Sequence, residues 1–126
     1  MTEAKRKILL ADDEEDIKVI VQLYLENNGY EVITAFDGLD AVEKTKEMKP
    51  DLILMDIMMP IIDGVEVTRQ LKSLEETKDI PVVMLTAAAQ SAMVERAIKA
   101  GAADYISKPF DPEHLKSVIE EILGPQ

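Results

Sequence analysis

Five residues with carboxylate, hydroxyl or ammonium groups stand at the ends of short apolar runs in this sequence: Asp12, Asp13, Asp56, Thr86 and Lys108. If the three carboxylates meet in one crevice, two charges about 5 Å apart repel by roughly 3 kcal/mol at an effective dielectric constant of about 20. Protonation of one carboxyl or a bound cation would relieve this repulsion. All-oxygen ligands without a nearby His or Cys favour a hard ion, Mg²⁺ or alternatively Mn²⁺.

The same residues suit the handling of a phosphoryl group. An open Mg²⁺ site commonly completes its shell with a phosphoryl oxygen, and the Lys108 ammonium and Thr86 hydroxyl suit the remaining oxygens. No Cys, Ser–His pair or Walker-type loop is present, so a carboxylate is the candidate nucleophile and an acyl phosphate the product. Taken singly, each Asp or Thr could instead cap a helix, and Lys108 could be a solvated surface charge. The combination of all five residues favours a site that binds a metal ion and a phosphoryl group.

The apolar runs alternate with longer amphipathic segments, which predicts β-α repeated five times. Helical spacing marks the segments between the runs, for example Ile17, Ile20, Val21 and Tyr24 in the first and Val67, Leu71 and Leu74 in the third. The first, third and fourth runs are almost continuously apolar, which is typical of parallel strands covered by helices on both faces. The five predicted strands are Lys7–Ala11, Tyr30–Ala35, Leu52–Met55 ending at Asp56, Pro81–Leu85 ending at Thr86, and Ala103–Ser107.

The predicted fold class is α/β, with one five-stranded parallel sheet between helical layers. Ligands of such open sheets bind outside the carboxyl ends of the strands, where the strand order reverses. The order 2-1-3-4-5, which is taken from known doubly wound sheets, places the first and third strands side by side. Asp12, Asp13 and Asp56 would then converge, with Thr86 and Lys108 beside them.

Composition restricts the class of protein further. The 126 residues suit a single domain, 1–126, and the balance of 14 Lys+Arg against 25 Asp+Glu gives a net charge of -11. This charge argues against binding nucleic acid or an anionic membrane surface. The absence of Cys fits a reducing compartment, and no apolar stretch approaches the roughly 18 residues that a membrane span needs. We expect a soluble, cytoplasmic domain.

Four motifs and one turn carry a resemblance to a known family. The motifs are ADDEED, LILMDIMMP, VVMLTA and YISKPF, together with the IDG turn. Their order and spacing resemble those of the receiver domain of two-component response regulators, over essentially the whole chain. The resemblance implies a flavodoxin-like, CheY-like (βα)5 three-layer sandwich. It also implies a signalling switch that catalyses only its own phosphorylation and dephosphorylation. We expect no output domain in 1–126, which fits either a stand-alone regulator or a receiver domain cut from a longer protein.

The resemblance assigns roles at the site. Asp56 would accept a phosphoryl group from a phosphohistidine of a sensor histidine kinase or phosphotransfer protein. Mg²⁺ would be held by Asp12, Asp13, Asp56 and the backbone carbonyl of Met58. Lys108 would pair with the acceptor carboxylate and then with the phosphoryl group.

The resemblance also implies how the signal leaves the site. Thr86 would be the switch hydroxyl and Tyr105 the aromatic side chain that follows it inward, while the Lys108–Pro109 peptide would be cis. Strand alternation supports this in one respect, because Tyr105 lies three residues before Lys108 and faces away from the site. An effector would bind the face of the fourth helix, fifth strand and fifth helix, where a monomer could dimerise when phosphorylated.

Several positions leave questions open. Met58 and Ala88 are apolar, unlike in well-known members, at positions that influence how fast water reaches the acyl phosphate, so the lifetime of the signal is not fixed. Ile61 and Ile62 form an apolar tip that either contacts a partner or packs under its loop. His114, the only histidine, is expected to be a solvated surface residue.

Two other classes of protein use comparable features. A haloacid-dehalogenase-like phosphohydrolase also forms an aspartyl phosphate, but it needs a second Asp two residues after the nucleophile, where this chain has Met58. A flavodoxin-like flavin binder needs a Ser/Thr/Gly loop after the first strand, where Asp-Asp-Glu-Glu would repel a flavin phosphate. Both alternatives are therefore disfavoured.

Overall fold

A computed structural model describes residues 5–87 and 91–125 of the chain. Five β-α units follow one another along it: β1 Lys7–Ala11, α1 Glu15–Asn27, β2 Glu31–Ala35, α2 Gly38–Met48, β3 Leu52–Asp56, α3 Gly64–Lys72, β4 Val82–Ala87, α4 Ser91–Ala100, β5 Asp104–Lys108 and α5 Pro112–Leu123. Among these described residues, no helix is long and apolar enough to cross a membrane.

The five strands form one parallel sheet in the order β2-β1-β3-β4-β5. Ala11, the last residue of β1, pairs in register with Ala35 of β2 and with Met55 of β3. The predicted fold class and strand order are therefore confirmed. Because β1 and β3 are neighbours, the residues that follow β1 and the last residue of β3 lie at the same edge of the sheet.

The sheet is buried on both faces, and each face has its own apolar core. Alternate residues of one strand enter different cores: Leu9 packs with side chains of α2, α3 and α4, whereas Leu10 packs with side chains of α1 and α5. Both leucines are fully buried. Burial on two faces explains why β1, β3 and β4 are apolar at almost every position rather than alternating.

Two helices differ in detail from the pattern read in the sequence. The buried residues of α1 are Lys18, Val21 and Leu25, while Ile20 is 59% exposed. The third helix ends at Lys72, so Leu74 lies beyond it in a turn. Hydrogen bonds from the Lys72 ammonium to the carbonyls of residues 78 and 80 stabilise that turn, and sequence spacing alone gives no sign of such bonds.

Gly64 allows α3 to begin against the backbone of the strand that carries Asp56. Its amide donates to the carbonyl of Ile57 at 2.8 Å, and a Cβ atom at this position would lie 2.4 Å from the carbonyl oxygen of Asp56. Asp63 caps the helix, since its side chain accepts from the amide of Glu66 at 2.9 Å. The end of β3 and the start of α3 are thus fixed against each other by a residue without a side chain.

We predict that Gly64→Ala lowers the free energy of unfolding by about 1 to 3 kcal/mol, because the added methyl group meets backbone atoms that cannot rotate away. This loss outweighs the roughly 1 kcal/mol that Ala gains over Gly in a helix. Urea denaturation measures the change, and amide NMR shifts at Asp56 and Ile57 locate it. An unchanged or higher stability would contradict the close approach.

Candidate functional site

Three carboxylates converge at the carboxyl edge of β1 and β3. Asp12 and Asp13 follow β1 and Asp56 ends β3, and one oxygen from each lies within 4.8 Å of the others. Asp12 and Asp56 are buried, whereas Asp13 is exposed. The convergence expected from the sequence is confirmed, and the cluster could hold a metal ion.

Helix capping does not account for these carboxylates. Glu14 is the N-cap residue of α1 and its side chain makes no capping hydrogen bond, while Asp12 Oδ1 accepts from the Glu14 amide at 2.9 Å. Asp56 lies well before α3, and its Oδ1 accepts from the Met58 amide at 3.3 Å. The helices whose caps are aspartates use other residues: Asp37 for α2, Asp63 for α3 and Asp111 for α5.

Lys108, the last residue of β5, brings its ammonium group to this cluster. Its Nζ lies 3.0 Å from Asp12 Oδ2, 3.2 Å from Glu14 Oε1 and 3.3 Å from Asp56 Oδ2. The Lys108 side chain is 16% exposed, Asp12 is fully buried and Asp56 is 8% exposed, but the Glu14 side chain is 59% exposed. Among the residues the structure describes, Lys108 is the cation bonded to the cluster.

The negative charge of the Asp56 carboxylate is only partly compensated by its surroundings. Burial and the neighbouring charge of Asp12 raise the pKa of Asp56 to about 6, although Lys108 and the Met58 amide favour its ionised form. Burial alone would lower the pKa of Lys108, but the hydrogen bond to Asp12 and the charges of Asp56 and Asp12 outweigh burial and raise that pKa. Lys108 therefore stays charged, while the raised pKa of Asp56, about 6, brings its titration closer to neutral pH than that of an ordinary aspartate.

The other predicted site residues lie on β4, on β5 and in the loop after β3. Thr86 is buried in β4, and its hydroxyl donates to the carbonyl of Ala87 at 3.2 Å. Tyr105 on β5 is 45% exposed and the Met58 side chain 56% exposed. The roles of Thr86, Tyr105 and the Met58 carbonyl stay predictions, and Ala88 lies outside the described residues.

The two residues of the apolar tip, Ile61 and Ile62, have different environments in the structure. Ile61 is 71% exposed with φ 73°, whereas Ile62 packs against the core under α2 and α3. The packing alternative therefore holds for Ile62, while Ile61 faces solvent. His114 is exposed, as expected, and the Lys108–Pro109 peptide is cis, as the resemblance implied.

Two features of the site were not identified from the sequence. Glu14 stands inside the ADDEED motif, but no spacing rule distinguished its side chain from the other acidic residues there. An apolar cavity of about 170 Å³ also lies between α1 and the start of α5, directly beside Lys108. Its lining residues come from two distant segments: Ile17, Ile20, Val21 and Tyr24, and Lys108, Pro109, Phe110, Pro112 and Leu115.

Comparisons with known proteins agree with this geometry. The family model of the response regulator receiver domain matches residues 8–120. The chain is 42% identical over 118 residues to the alkaline phosphatase synthesis transcriptional regulatory protein PhoP of Bacillus subtilis and to the phosphate regulon transcriptional regulatory protein PhoB of Escherichia coli, in each case over 94% of this chain. These matches cover 48% of PhoP and 52% of PhoB, so the chain spans about half the length of these relatives.

Solved structures are similar over nearly the whole chain. A putative response regulator from Chloroflexus aurantiacus superposes with a TM-score of 0.92 at 31% identity, over 97% of this chain and 100% of that one. The receiver domain of sensor histidine kinase PA1611 from Pseudomonas aeruginosa, whose structure has a magnesium ion coordinated in the active site cleft, gives 0.89 at 32% identity, over 97% and 100%. The chain belongs to the response regulator receiver domain family of two-component systems.

We predict that Asp56→Asn stabilises the metal-free protein at pH 7.5 and not at pH 4. The pKa of Asp56 in the folded chain, about 6, lies above the ordinary aspartate pKa of 3.8. Between these values the folded chain holds a proton that the unfolded chain has released, so this carboxyl makes folding less favourable as the pH rises. Removing its charge should raise the free energy of unfolding by about 1 to 3 kcal/mol above pH 7.

Urea denaturation in EDTA at the two pH values measures this difference. Glu47→Gln is the matched control, since it removes an exposed carboxylate from α2, a helix that contributes no side chain to the cluster. A gain at pH 4 as large as that at pH 7.5, or a loss at pH 7.5, would show that Asp56 is not the poorly compensated charge.

Proposed function

We propose that this chain is a phosphoacceptor that takes a phosphoryl group onto Asp56 from a phosphohistidine of a sensor histidine kinase or phosphotransfer protein. The observation that carries the proposal is a buried carboxylate, Asp56, with Lys108 Nζ 3.3 Å from its oxygen and two further carboxylates beside it. The Asp56 carboxylate is the nucleophile, the Lys108 ammonium is a fixed cation beside it, and the other carboxylates offer a site for a second cation. Such a site suits a reaction in which negative charge develops on phosphoryl oxygens.

The donor set fits Mg²⁺. The carboxylates of Asp12, Asp13 and Asp56 offer only hard oxygen ligands within 4.8 Å of one another, which Mg²⁺ prefers and Mn²⁺ also accepts. We propose that these three side chains and the backbone carbonyl of Met58 hold the ion. When bound, Mg²⁺ would supply positive charge that offsets the carboxylates and the incoming phosphoryl oxygens. The magnesium ion in the similar Pseudomonas aeruginosa receiver domain supports this assignment.

The chain's own residues orient and balance the transfer. An Asp56 oxygen forms a bond to phosphorus while the bond from phosphorus to the donor's imidazole nitrogen breaks, and the electron pair stays on that nitrogen. A donor ring protonated at its other nitrogen leaves as neutral imidazole. Lys108 then donates to a phosphoryl oxygen instead of the free carboxylate. Because the product is hydrolysed on the same Asp56, the chain acts as a switch rather than on an external substrate.

The signal would leave on the opposite side of β5. A phosphoryl group adds charge and acceptor oxygens, and we propose that the Thr86 hydroxyl turns towards them and that Tyr105, 45% exposed on β5, follows it inward. The face of α4, β5 and α5 would then bind an effector, or a second copy of the chain. Neither the dehalogenase-like nor the flavin-binding alternative is supported by the family match.

We predict that the purified chain mixed with Mg²⁺ and acetyl phosphate gains one phosphoryl group, whereas Asp56→Asn gains none. Intact mass spectrometry measures the adduct, and EDTA should abolish it. Because a short-lived acyl phosphate could escape detection, beryllium fluoride serves as a stable mimic, followed by amide NMR. No response to either reagent in a folded sample would show that the carboxylate cluster is structural.

We further propose that the phosphodonor protein docks on the apolar cavity between α1 and α5. This cavity adjoins the reacting centre, because Lys108 lines the cavity and also bonds Asp56. Helix α1 also exposes Val19, Ile20 and Leu23 by half or more of their surface. Exposed apolar surface beside a site that a protein must reach is typical of an interface.

Ile20→Lys should therefore slow transfer from a histidine kinase that phosphorylates the unmodified chain by at least tenfold, and leave phosphorylation by acetyl phosphate unchanged. Leu39→Lys, at a 50% exposed position on α2, is the matched control and should affect neither donor. Equal rates from the kinase with Ile20→Lys and with the unmodified chain would place the docking surface elsewhere.

A further inference from the structure

Glu14 contacts the catalytic lysine without belonging to the metal-binding cluster. Its Oε1 lies 3.2 Å from Lys108 Nζ, closer than the Asp56 oxygen at 3.3 Å. It is the N-cap residue of α1, yet its side chain makes no hydrogen bond to the helix. The side chain is thus used for Lys108 rather than for its own helix.

The ammonium group of Lys108 has no donor left. An ammonium carries three N–H groups, and Lys108 Nζ lies within hydrogen-bond distance of three carboxylates, those of Asp12, Glu14 and Asp56. A phosphoryl oxygen that arrives on Asp56 can therefore be bonded by Lys108 only if one of these contacts is given up or shared.

The three contacts differ in how easily they are lost. The Asp12 side chain is fully buried and Asp56 is 8% exposed, whereas Glu14 is 59% exposed. A buried carboxylate that loses its partner is left without solvation, which is costly. An exposed carboxylate is rehydrated when its partner leaves, so exposed ion pairs are weak. The contact with Glu14 is the one that can be exchanged at least cost.

We propose that Glu14 is a positioning residue that holds the Lys108 ammonium in the unphosphorylated chain and releases it when a phosphoryl group forms on Asp56. This inference rests on the proposed function, because it requires Asp56 to be the acceptor. Glu14 thereby competes with the phosphoryl group for the same cation and favours the resting arrangement. Removing it should favour the phosphorylated arrangement.

The expected effect of Glu14→Ala is a two- to fivefold tighter binding of beryllofluoride in the presence of Mg²⁺, about the range measured for exposed ion pairs. Amide NMR titration of the full chain measures the affinity. High salt should reduce the difference between Glu14→Ala and the unmodified chain, since it screens an exposed pair and has less effect on the buried ones.

Two further variants separate the contact from a general effect of charge. Glu15→Ala removes a neighbouring carboxylate that is 78% exposed and pairs with Lys18 instead; it should change the affinity by a factor of no more than about 1.4, which corresponds to the smallest effects measured for exposed pairs. Glu14→Asp keeps the charge but shortens the reach by one methylene group, and it should tighten binding nearly as much as Glu14→Ala.

An independent readout needs neither Mg²⁺ nor a phosphoryl mimic. In the unphosphorylated chain, the ¹⁵N and ¹H NMR signals of the Lys108 ammonium should shift in Glu14→Ala and Glu14→Asp and stay in place in Glu15→Ala. Signals that do not move in any variant would overturn the contact.

The affinity experiment can fail in distinguishable ways. If the unmodified chain binds beryllofluoride and Glu14→Ala binds it equally or more weakly, the inference is wrong while the proposed function stands. Equal tightening by Glu15→Ala would assign the effect to general charge and would also overturn the inference. If the unmodified chain does not bind beryllofluoride at all, the proposed function and this inference fall together.

Discussion

The repulsion among three carboxylates at one edge of the sheet is the constraint that the rest of the structure must offset. Asp12 and Asp56 are buried beside each other, and Lys108 alone among the described residues brings a cation into bonding contact with them. One ammonium cannot neutralise three carboxylates, and burial together with the charge of Asp12 raises the pKa of Asp56. The cluster is therefore stabilised by whatever brings further positive charge, and this deficit is the physical basis of the metal binding and phosphoryl transfer that we propose.

The fold holds these charges together because the sheet is covered on both faces. Burial of β1 and β3 between two apolar cores fixes the strands in register, and their adjacency fixes where Asp12 and Asp56 end up. The charges cannot separate without disrupting the register of the central strands. Gly64 adds a second constraint, because α3 starts in direct contact with the carbonyl of Asp56. Stability from the cores thus offsets the electrostatic cost at the edge.

The sequence was sufficient for the five strands, their parallel arrangement and the polar residues at their ends, because periodicity and strand ends are local signals. The convergence of Asp12, Asp13 and Asp56 also needed the strand order, which came from known doubly wound sheets. The sequence was not sufficient for the contact between Glu14 and Lys108, because these residues are 94 positions apart in the sequence and meet only in the fold. The turn after α3, in which Leu74 lies, is stabilised by the Lys72 ammonium bonded to the carbonyls of residues 78 and 80, and spacing did not predict it. Contacts of long side chains across the chain leave no periodic trace in the sequence.

The free energy available to the switch follows from the contacts that change. A phosphoryl group shifts a conformational equilibrium only as far as it binds one arrangement more tightly than the other. The Thr86 hydroxyl bonds the carbonyl of Ala87, and exchanging such a neutral hydrogen bond for one to a charged oxygen gains about 1 kcal/mol. In the proposed switch, Lys108 gives up its exposed partner Glu14 at a cost of about 1 kcal/mol or less. Because the gain proposed at Thr86 and the cost at Glu14 are both small, the two arrangements would lie close in free energy, and one phosphoryl group that bonds both side chains would be sufficient to choose between them.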